Sequence, residues 1–324
     1  MYIEKKKIGK NEYNYLKISV RLKNKIKTKT IAYLGKVPMN KQEIKDKIDR
    51  IPKSKIKEIE QELKKDIDIN KEFLNKVQLK KLEQLKKDFN KKLKVQDKKI
   101  INDMFKDFKT FYIYNTNAIE GNTITLEETN LLLNENKTPE GRDLREIYDH
   151  INEKEAFDFI IQTRPKINND LIIKLHSMLL NKIDKRIGNY RTHNVRVFGA
   201  AFNTSPAELV KIDVSLLLKW YNKNKKNLHP LILSAVFHEK FERIHPFYDG
   251  NGRTGRMLVN LILINNKFPP LIIENKKRKE YYNVLSIGHK ADLNKVDTNF
   301  YKPIIEFFYN QIIHTYDKIF IKWG

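Results

Sequence analysis

Two apolar segments joined by a short glycine-rich turn constrain the fold of this chain most strongly. The first covers residues 231–243, and the second begins near Arg253. Gly250 and Gly252 bracket Asn251 just before the second segment. Because glycine tolerates backbone conformations that other residues avoid, this pattern predicts two apolar helices connected by a tight loop.

The same loop concentrates groups suited to phosphate chemistry. A glycine-rich turn that opens a helix presents free backbone N–H groups to an anion. Arg253 and Arg256 follow on one helix face, and guanidinium groups can contact phosphate in bidentate fashion. Asp249 offers a hard oxygen ligand for magnesium, and His245 is a candidate base at neutral pH. Together these residues predict a nucleotide phosphoryl-transfer site.

The segment from His245 to Arg256 reads HPFYDGNGRTGR. It resembles the signature of the Fic family, HxFx(D/E)GNGRxxR, with no mismatch. The helix before it, with His238, Phe241 and Ile244, also resembles the family, and the likeness covers about residues 105–310. It implies a mainly α fold, with a Fic-type helical core and a short β-hairpin flap. A small β-rich N-terminal module and a helical linker precede that core.

The resemblance also implies an activity. Fic proteins mostly transfer AMP from ATP to a Ser, Thr or Tyr hydroxyl of a target protein, so we expect a nucleotidyltransferase. Its substrate would be ATP, its cofactor Mg²⁺, and its partner a protein with an exposed hydroxyl, or the chain itself. By resemblance, His245 is the general base and Asp249 holds magnesium. The groups that bind phosphate are then Gly250, Asn251, Gly252, Arg253 and Arg256.

Two further regions are assigned by the same likeness. Tyr281 and Tyr282 match the position that contacts adenine, whereas His289 stands where the animal relatives carry Asn, so base selectivity stays open. The flap that aligns the target matches the segment containing Val195, Arg196 and Val197. Phe247 is expected to be a core anchor of the loop without a chemical role.

Residues 116–122, TNAIEGN, fit the inhibitory pattern (S/T)xxxE(G/N) of the family. This likeness implies that Glu120 pairs with Arg256 and prevents the γ-phosphate from binding. In some relatives the glutamate also supports AMP removal. A bifunctional enzyme, or a de-adenylylase using the same site, is therefore the alternative.

The positive charge is concentrated at the N-terminus. Residues 1–110 carry 33 Lys and Arg against 16 Asp and Glu, a net charge of +17 out of +24 for the chain. One interpretation is a nucleic-acid-associated regulator that binds through residues 1–100. The other is a solvated lysine-rich surface, because no nucleic-acid motif accompanies the charge.

The sequence predicts three regions. Residues 1–40 form a small basic β-rich module, residues 41–100 a helical arm, and residues 101–324 the Fic domain with its inhibitory helix. Within the arm, helices are predicted over 41–66 and 71–99. They are either amphipathic helices packed on their own domain or a coiled-coil arm for a homodimer.

The chain contains no cysteine, which excludes disulfides, thiolate metal sites and cysteine nucleophiles. Its longest apolar run, residues 257–264 with Asn260 inside it, is far shorter than the roughly 20 residues that a membrane span requires. The first residues lack the apolar stretch of a secretory signal. These features predict a cytoplasmic protein without a membrane partner.

Overall fold

The computed structural model describes residues 1–22, 25–65, 70–196, 204–291, 293 and 296–323. The chain divides into two compact units, Met1–Lys71 and Glu72–Gly324. Most of the described chain is helical, and the strands form one small sheet. The predicted mainly α fold is therefore confirmed.

The smaller unit is built on a three-stranded antiparallel sheet. Its strands, in the order β1-β2-β3, are β1 (Tyr2–Ile8), β2 (Asn11–Leu22) and β3 (Lys25–Lys36). One face of the sheet buries Leu16, Ile18, Ile31 and Leu34, against which isoleucines from the following helices pack. These helices are α1 (Lys41–Asp49) and α2 (Lys53–Lys65). They supply the cover that such a small sheet needs in water.

The single helix predicted over residues 41–66 is wrong in one respect, because the structure divides it into α1 and α2. The break falls at residues 50–52, immediately before α2. Pro52 lacks an N–H donor, and its ring would clash with the preceding turn of a continuous helix. Asn40 begins α1 by accepting a 2.8 Å hydrogen bond from the Glu43 amide.

The helix predicted over residues 71–99 is also wrong in one respect, because the structure divides this range among three helices. The helices after α2 follow in chain order. They are α3 (Asn70–Phe73), α4 (Lys76–Val95), α5 (Lys98–Ile119), α6 (Leu126–Asn134), α7 (Leu144–Thr163), α8 (Asn169–Leu179), α9 (Val210–Asn224), α10 (Pro230–Ile244), α11 (Asn251–Asn265), α12 (Arg278–Gly288) and α13 (Thr298–Lys318). Short 3-10 turns cover Ala207–Leu209, Asn275–Lys277 and Phe320–Trp323.

Helices α10 and α11 form the centre of the larger unit, and both are buried on nearly every side. Their close approach depends on Gly255. A Cβ at this position would lie 2.7 Å from Oε1 of Glu242 and 2.8 Å from Nδ1 of His238, both on α10. This contact brings the helix that precedes the glycine-rich loop against the helix that follows it.

Helix α4 belongs to the core of the larger unit. Leu82, Leu85 and Phe89 are buried, and the ring of Phe89 lies 5.1 Å from that of Phe320, centroid to centroid. This packing favours an amphipathic helix of its own domain over a coiled-coil arm. Among the helices in the described ranges, none combines the length and apolar character required to cross a bilayer.

Candidate nucleotide site

The loop between α10 and α11 is held in a strained but well-bonded conformation. His245 ends α10 in the left-handed region, with φ 51° and ψ 62°, and Gly250 precedes α11 with φ 73°. The Asn251 side chain closes the loop, because its Oδ1 accepts from the Phe247 amide and its Nδ2 donates to the Phe247 carbonyl, both at 2.9 Å. The Asn251 side chain is thus structural, and only its backbone N–H is available to an anion.

Phe247 anchors the same loop in the core and is fully buried, as predicted. Its ring stacks on that of His176 from α8, with 3.7 Å between centroids and 5° between planes. His176 Nε2 donates to the Asp249 carbonyl at 3.1 Å, since a carbonyl can only accept. Burial lowers the pKa of His176 to about 4, so this imidazole is a neutral brace at physiological pH.

His245 has the properties of a neutral base. Burial lowers its pKa to about 4. Its Nδ1 lies 3.3 Å from the Glu242 carbonyl, and this contact requires the proton to be on Nδ1. The other ring nitrogen, Nε2, then carries the free electron pair and can accept a proton.

Asp249 presents an ionised carboxylate at the start of the loop. Burial alone would raise its pKa, but Arg253, the Gly250 amide and Arg145 together lower it. Oδ1 accepts from the Gly250 amide at 2.6 Å, and Oδ2 accepts from Arg145 at 2.5 Å. The carboxylate stays partly exposed. One ionised, accessible carboxylate fits magnesium, which binds through one or two carboxylates plus substrate phosphates.

Arg253 and Arg256 are both buried on α11, but they have different partners. Arg253 Nη1 forms an ion pair with Asp149 from α7, while its Nε has no hydrogen-bond partner among the described residues. Arg256 is held by the end of α5: Nε donates to Thr116 Oγ1 at 2.7 Å, and Nη2 donates to the Thr116 carbonyl at 3.0 Å.

Glu120 completes the environment of Arg256. Arg256 Nη2 donates to Glu120 Oε1 at 2.7 Å, and the side-chain exposures are 4% for the arginine and 37% for the glutamate. A Cβ built on Gly252 would overlap the same Oε1 atom. The carboxylate therefore lies directly over Gly252, in the first turn of α11, where backbone N–H groups lack intrahelical partners.

Two further carboxyl groups are buried beside this cluster. Burial raises the pKa of Glu153 on α7 to about 7 and that of Glu242 on α10 to about 8. Within the described part of the chain, Oε1 of Glu242 has no hydrogen-bond partner. Glu242 is thus predominantly protonated at neutral pH, which keeps a second negative charge away from the pair formed by Glu120 and Arg256.

The two tyrosines expected near adenine occupy different environments. Tyr281 is buried, and its hydroxyl lies 2.6 Å from His238 Nε2. Tyr282 is 39% exposed, so of the two only Tyr282 presents its ring to a ligand. His289 is also buried, with Nδ1 2.8 Å from Glu239 Oε1.

Arg278 joins Tyr282 to the end of α5. Its Nε donates to the Ile119 carbonyl at 2.7 Å, and its guanidinium lies 5.2 Å from the centre of the Tyr282 ring. The Asn275 amide also donates to Asn115 Oδ1 at 2.8 Å. The helix end that carries Glu120 is therefore fastened from the side of α12 as well as by Arg256.

Arg191 is a positioning residue whose part the sequence did not predict. It is buried, and its Nε donates to the His245 carbonyl at 2.7 Å. Nη2 lies 3.3 Å from the Ile244 carbonyl, and the Arg191 amide donates to the Pro246 carbonyl at 3.0 Å. One residue thus bonds three consecutive carbonyls around the left-handed His245.

The same guanidinium binds the segment expected to be the flap. Nη1 donates to the His193 carbonyl at 3.1 Å, and Nη2 donates to the Ser205 carbonyl. Residues on the two sides of this segment are also joined directly, because Thr204 Oγ1 donates to the Val195 carbonyl at 3.1 Å. Residues 191–196 and 204–206 form no strand, and Val197 lies outside the described residues. The target-aligning flap at Val195, Arg196 and Val197 stays a prediction.

Tyr248 also connects the loop to this segment. Its hydroxyl accepts from the Thr192 amide at 2.9 Å and lies 3.0 Å from His193 Nδ1. Hydrogen bonds from Thr192 and His193 lower the pKa of Tyr248 to about 7.

Taken together, the geometry defines a helical protein with an anion-binding helix start, a neutral imidazole, an ionised carboxylate and two buried arginines. Residues 166–263 match the sequence model of the Fic/DOC family. The chain carries a Fic domain and belongs, through it, to the Fic/DOC family.

Known proteins of this family resemble the chain over much of its length. Protein adenylyltransferase fic-1 of Caenorhabditis elegans is 30% identical over 227 residues, which is 68% of this chain and 44% of that protein. Protein adenylyltransferase Fic of Nematostella vectensis is 35% identical over 188 residues, 56% of this chain and 44% of that protein. The chain therefore spans less than half the length of these two curated relatives.

Solved structures support the same fold. A Fic-domain-containing signalling protein from Bacteroides thetaiotaomicron aligns with a TM-score of 0.67 and 25% identity, over 74% of this chain and 94% of that one. A fragment of C. elegans Fic-1 aligns with a TM-score of 0.63 and 28% identity, over 76% and 72% of the two chains.

Proposed function

We propose that the chain is a magnesium-dependent protein adenylyltransferase that transfers AMP from ATP to a hydroxyl of a target protein. The observation that carries this proposal is the neutral His245, placed beside the open N-terminus of α11 and the two buried arginines. Two curated relatives are named protein adenylyltransferases, which supports the same activity.

The proposed reaction is a single displacement at phosphorus. The hydroxyl oxygen of the target attacks the α-phosphorus, and its proton moves to Nε2 of His245. The bond from the α-phosphorus to the oxygen that leads to the β-phosphate breaks, and pyrophosphate leaves with that electron pair. A positioned general base typically contributes about 10² to 10⁴ in rate.

The remaining groups bind and orient the nucleotide. Backbone N–H groups of Gly252 and its neighbours at the start of α11 would receive phosphate oxygens, and Arg253 and Arg256 would hold the β- and γ-phosphates. Asp249 would hold the magnesium ion, whose charge offsets that of the phosphates. Tyr282 would stack on the base.

We further propose that Glu120 inhibits this reaction. Its carboxylate is 2.7 Å from Arg256 Nη2 and lies over Gly252, so it would compete with a phosphate for both. An anion already bound at this point lowers the affinity for ATP or misplaces its α-phosphate. The inhibited state is thus the one in which Glu120 is bound to Arg256.

The test is incubation with ATP labelled at either the α- or the γ-phosphate, using wild type beside the Glu120→Gly and His245→Ala variants. We expect protein-bound label from α-labelled ATP only, more of it with Glu120→Gly, and none with His245→Ala. The His245→Ala variant should still bind ATP, because the base acts on the target hydroxyl.

Three other outcomes would change the assignment. Protein-bound γ-label would indicate phosphate transfer and would overturn adenylyl transfer. Retained α-label with His245→Ala would remove His245 from the mechanism. Loss of α-label from previously modified protein, dependent on Glu120, would instead indicate de-adenylylation by the same site, which the partial exposure of Glu120 leaves accessible to water.

A further inference from the structure

The small sheet of residues 1–71 has one open face rich in tyrosine and lysine. Strand pairing places Tyr13 between Lys6 and Lys36, and the neighbouring pair Tyr15 and Tyr33 on the same face. We call this surface the tyrosine face. It consists of Tyr2, Glu4, Lys6, Tyr13, Tyr15, Lys17, Tyr33 and Lys36.

The aromatic rings of this face form one cluster. Tyr33 lies 5.5 Å from Tyr15 and 6.0 Å from Tyr13, measured between ring centroids. Tyr33 is 55% exposed. Side chains alternate between the faces of a strand, so α1 and α2 cover the face of Leu16 and Ile18, which is opposite to the face of these rings.

The charge around the rings is positive. Lys6 and Lys36 are exposed on either side of Tyr13, whereas Lys17 is paired with Glu4 at 2.6 Å. Residues 1–71 as a whole carry 21 Lys and Arg against 10 Asp and Glu, which gives 21 − 10 = +11. An anionic partner with flat apolar groups matches both the charge and the rings.

We propose that the tyrosine face binds single-stranded nucleic acid, with bases stacked on the tyrosines and phosphates held by the lysines. Exposed aromatic side chains on a sheet can stack on unpaired bases, and basic residues alongside them track the backbone. This function would be additional to the proposed adenylyl transfer, since every residue that carries it lies outside the Fic domain.

The rings favour single strands over duplexes. Bases in a duplex are stacked on each other and cannot lie on a flat protein surface, so a duplex would meet only the lysines. A surface that acted through charge alone would bind both forms in a strongly salt-dependent way. A comparison of the affinities for single-stranded and duplex nucleic acid therefore distinguishes base stacking from charge attraction.

The experiment measures fluorescence anisotropy of a labelled oligothymidylate of about 15 nucleotides, within the range of common single-strand sites. The full chain is compared with Tyr33→Ala, Tyr33→Phe and the double variant Lys6→Gln/Lys36→Gln. Stacking contributes about 1–3 kcal/mol per base, so Tyr33→Ala should weaken binding by about 5- to 150-fold. Tyr33→Phe keeps a flat ring and should bind like wild type.

The lysines are tested by salt dependence. For single strands, each phosphate contact contributes about −0.7 to the slope of log K against log salt, so Lys6→Gln/Lys36→Gln should reduce that slope by about 1.4. The matched control is Lys45→Gln/Lys53→Gln, which removes the same charge from exposed positions on α1 and α2. It should change the slope much less.

Several results would overturn the proposal. These are no binding at low salt, equal affinity for the strand and its duplex, unchanged affinity with Tyr33→Ala, and an equal effect of the control pair. Circular dichroism of each variant establishes that the sheet still forms, so a loss of binding can be assigned to the removed side chain.

Discussion

At the residue scale, the burial of His245 predicts an unusual pH dependence. A base must be unprotonated, and burial lowers the pKa of His245 to about 4. We therefore expect the acid limb of kcat/KM to lie well below pH 6.5 and activity to be flat through neutrality. The profile is measured with the Glu120→Gly variant. The charge of Glu120 raises the His245 pKa, so its removal should move the acid limb to lower pH. An acid limb at pH 6.5 or above would show a solvated base.

The pair formed by Glu120 and Arg256 predicts a graded response to substitution. Glu120→Gly removes the anion over Gly252 and should raise AMP transfer by roughly 10- to 10³-fold, corresponding to a few kcal/mol. Glu120→Gln keeps the side-chain shape without the charge and should fall between wild type and Glu120→Gly. Initial rates of α-label incorporation and ATP affinity are measured together.

The control for this series is Glu127→Gln, which removes a carboxylate from an exposed position of the next helix, α6. Its rate should match wild type. If Glu120→Gly matches wild type in both rate and ATP affinity, the inhibitory assignment of Glu120 is wrong.

At the element scale, Arg191 connects the loop between α10 and α11 to the segment around Val195. Lysine cannot reproduce the forked donors of a guanidinium. Arg191→Lys should therefore break the hydrogen bonds that hold the loop and the segment around Val195 together. Since small misplacements can cost about 100-fold in rate, we expect kcat to fall by 10- to 100-fold. ATP affinity should change little, because Arg191 contacts no phosphate-binding residue of α11.

Arg164→Lys is the matched control, because Arg164 is exposed at the end of α7, and no part of the proposed site includes it. It should retain kcat. A merely structural loss in Arg191→Lys would lower ATP binding and kcat together, and that result would contradict the positioning assignment.

The contact between α10 and α11 predicts a loss of stability with Gly255→Ala. The added Cβ would lie 2.7 Å from Glu242 Oε1 and 2.8 Å from His238 Nδ1, both in the core. Overpacking of this kind typically costs about 1–3 kcal/mol. Urea denaturation measures the change, and Ser215→Ala, at an exposed position of α9, is the control expected to have little effect. Wild-type stability in Gly255→Ala would show that the two helices can move apart freely.

At the scale of the whole molecule, the two units have separate cores, so a core substitution in the smaller one should be local. Leu16 is buried in the sheet core, and Leu16→Ala should cost that unit about 2–5 kcal/mol. Trp220 and Trp323, the two tryptophans of the chain, belong to the larger unit. We expect the urea transition by circular dichroism to shift while the tryptophan fluorescence midpoint stays. A matching shift in fluorescence would contradict this expectation.

The sequence predicts features that depend on neighbouring residues better than contacts between residues far apart in the chain. Helical periodicity and caps are local, so α10 begins and ends, and α11 begins, within about two residues of the predicted positions. Pairing partners are not local. His176 reaches the Asp249 carbonyl across 73 residues, and Asp149 reaches Arg253 across 104. No spacing in the sequence identifies such partners, because only the packing of α7 and α8 against the loop brings them together.

The two bonds from Arg256 to Thr116 have a consequence for nucleotide binding. A free arginine side chain loses up to about 2 kcal/mol of conformational entropy when a ligand immobilises it. Thr116 holds Nε and Nη2 independently of Glu120, at 2.7 and 3.0 Å. When the glutamate withdraws, the guanidinium is still ordered and faces the vacated position. If Arg256 binds a phosphate as proposed, preorganisation by Thr116 would spare the site the entropic penalty of fixing a mobile cation.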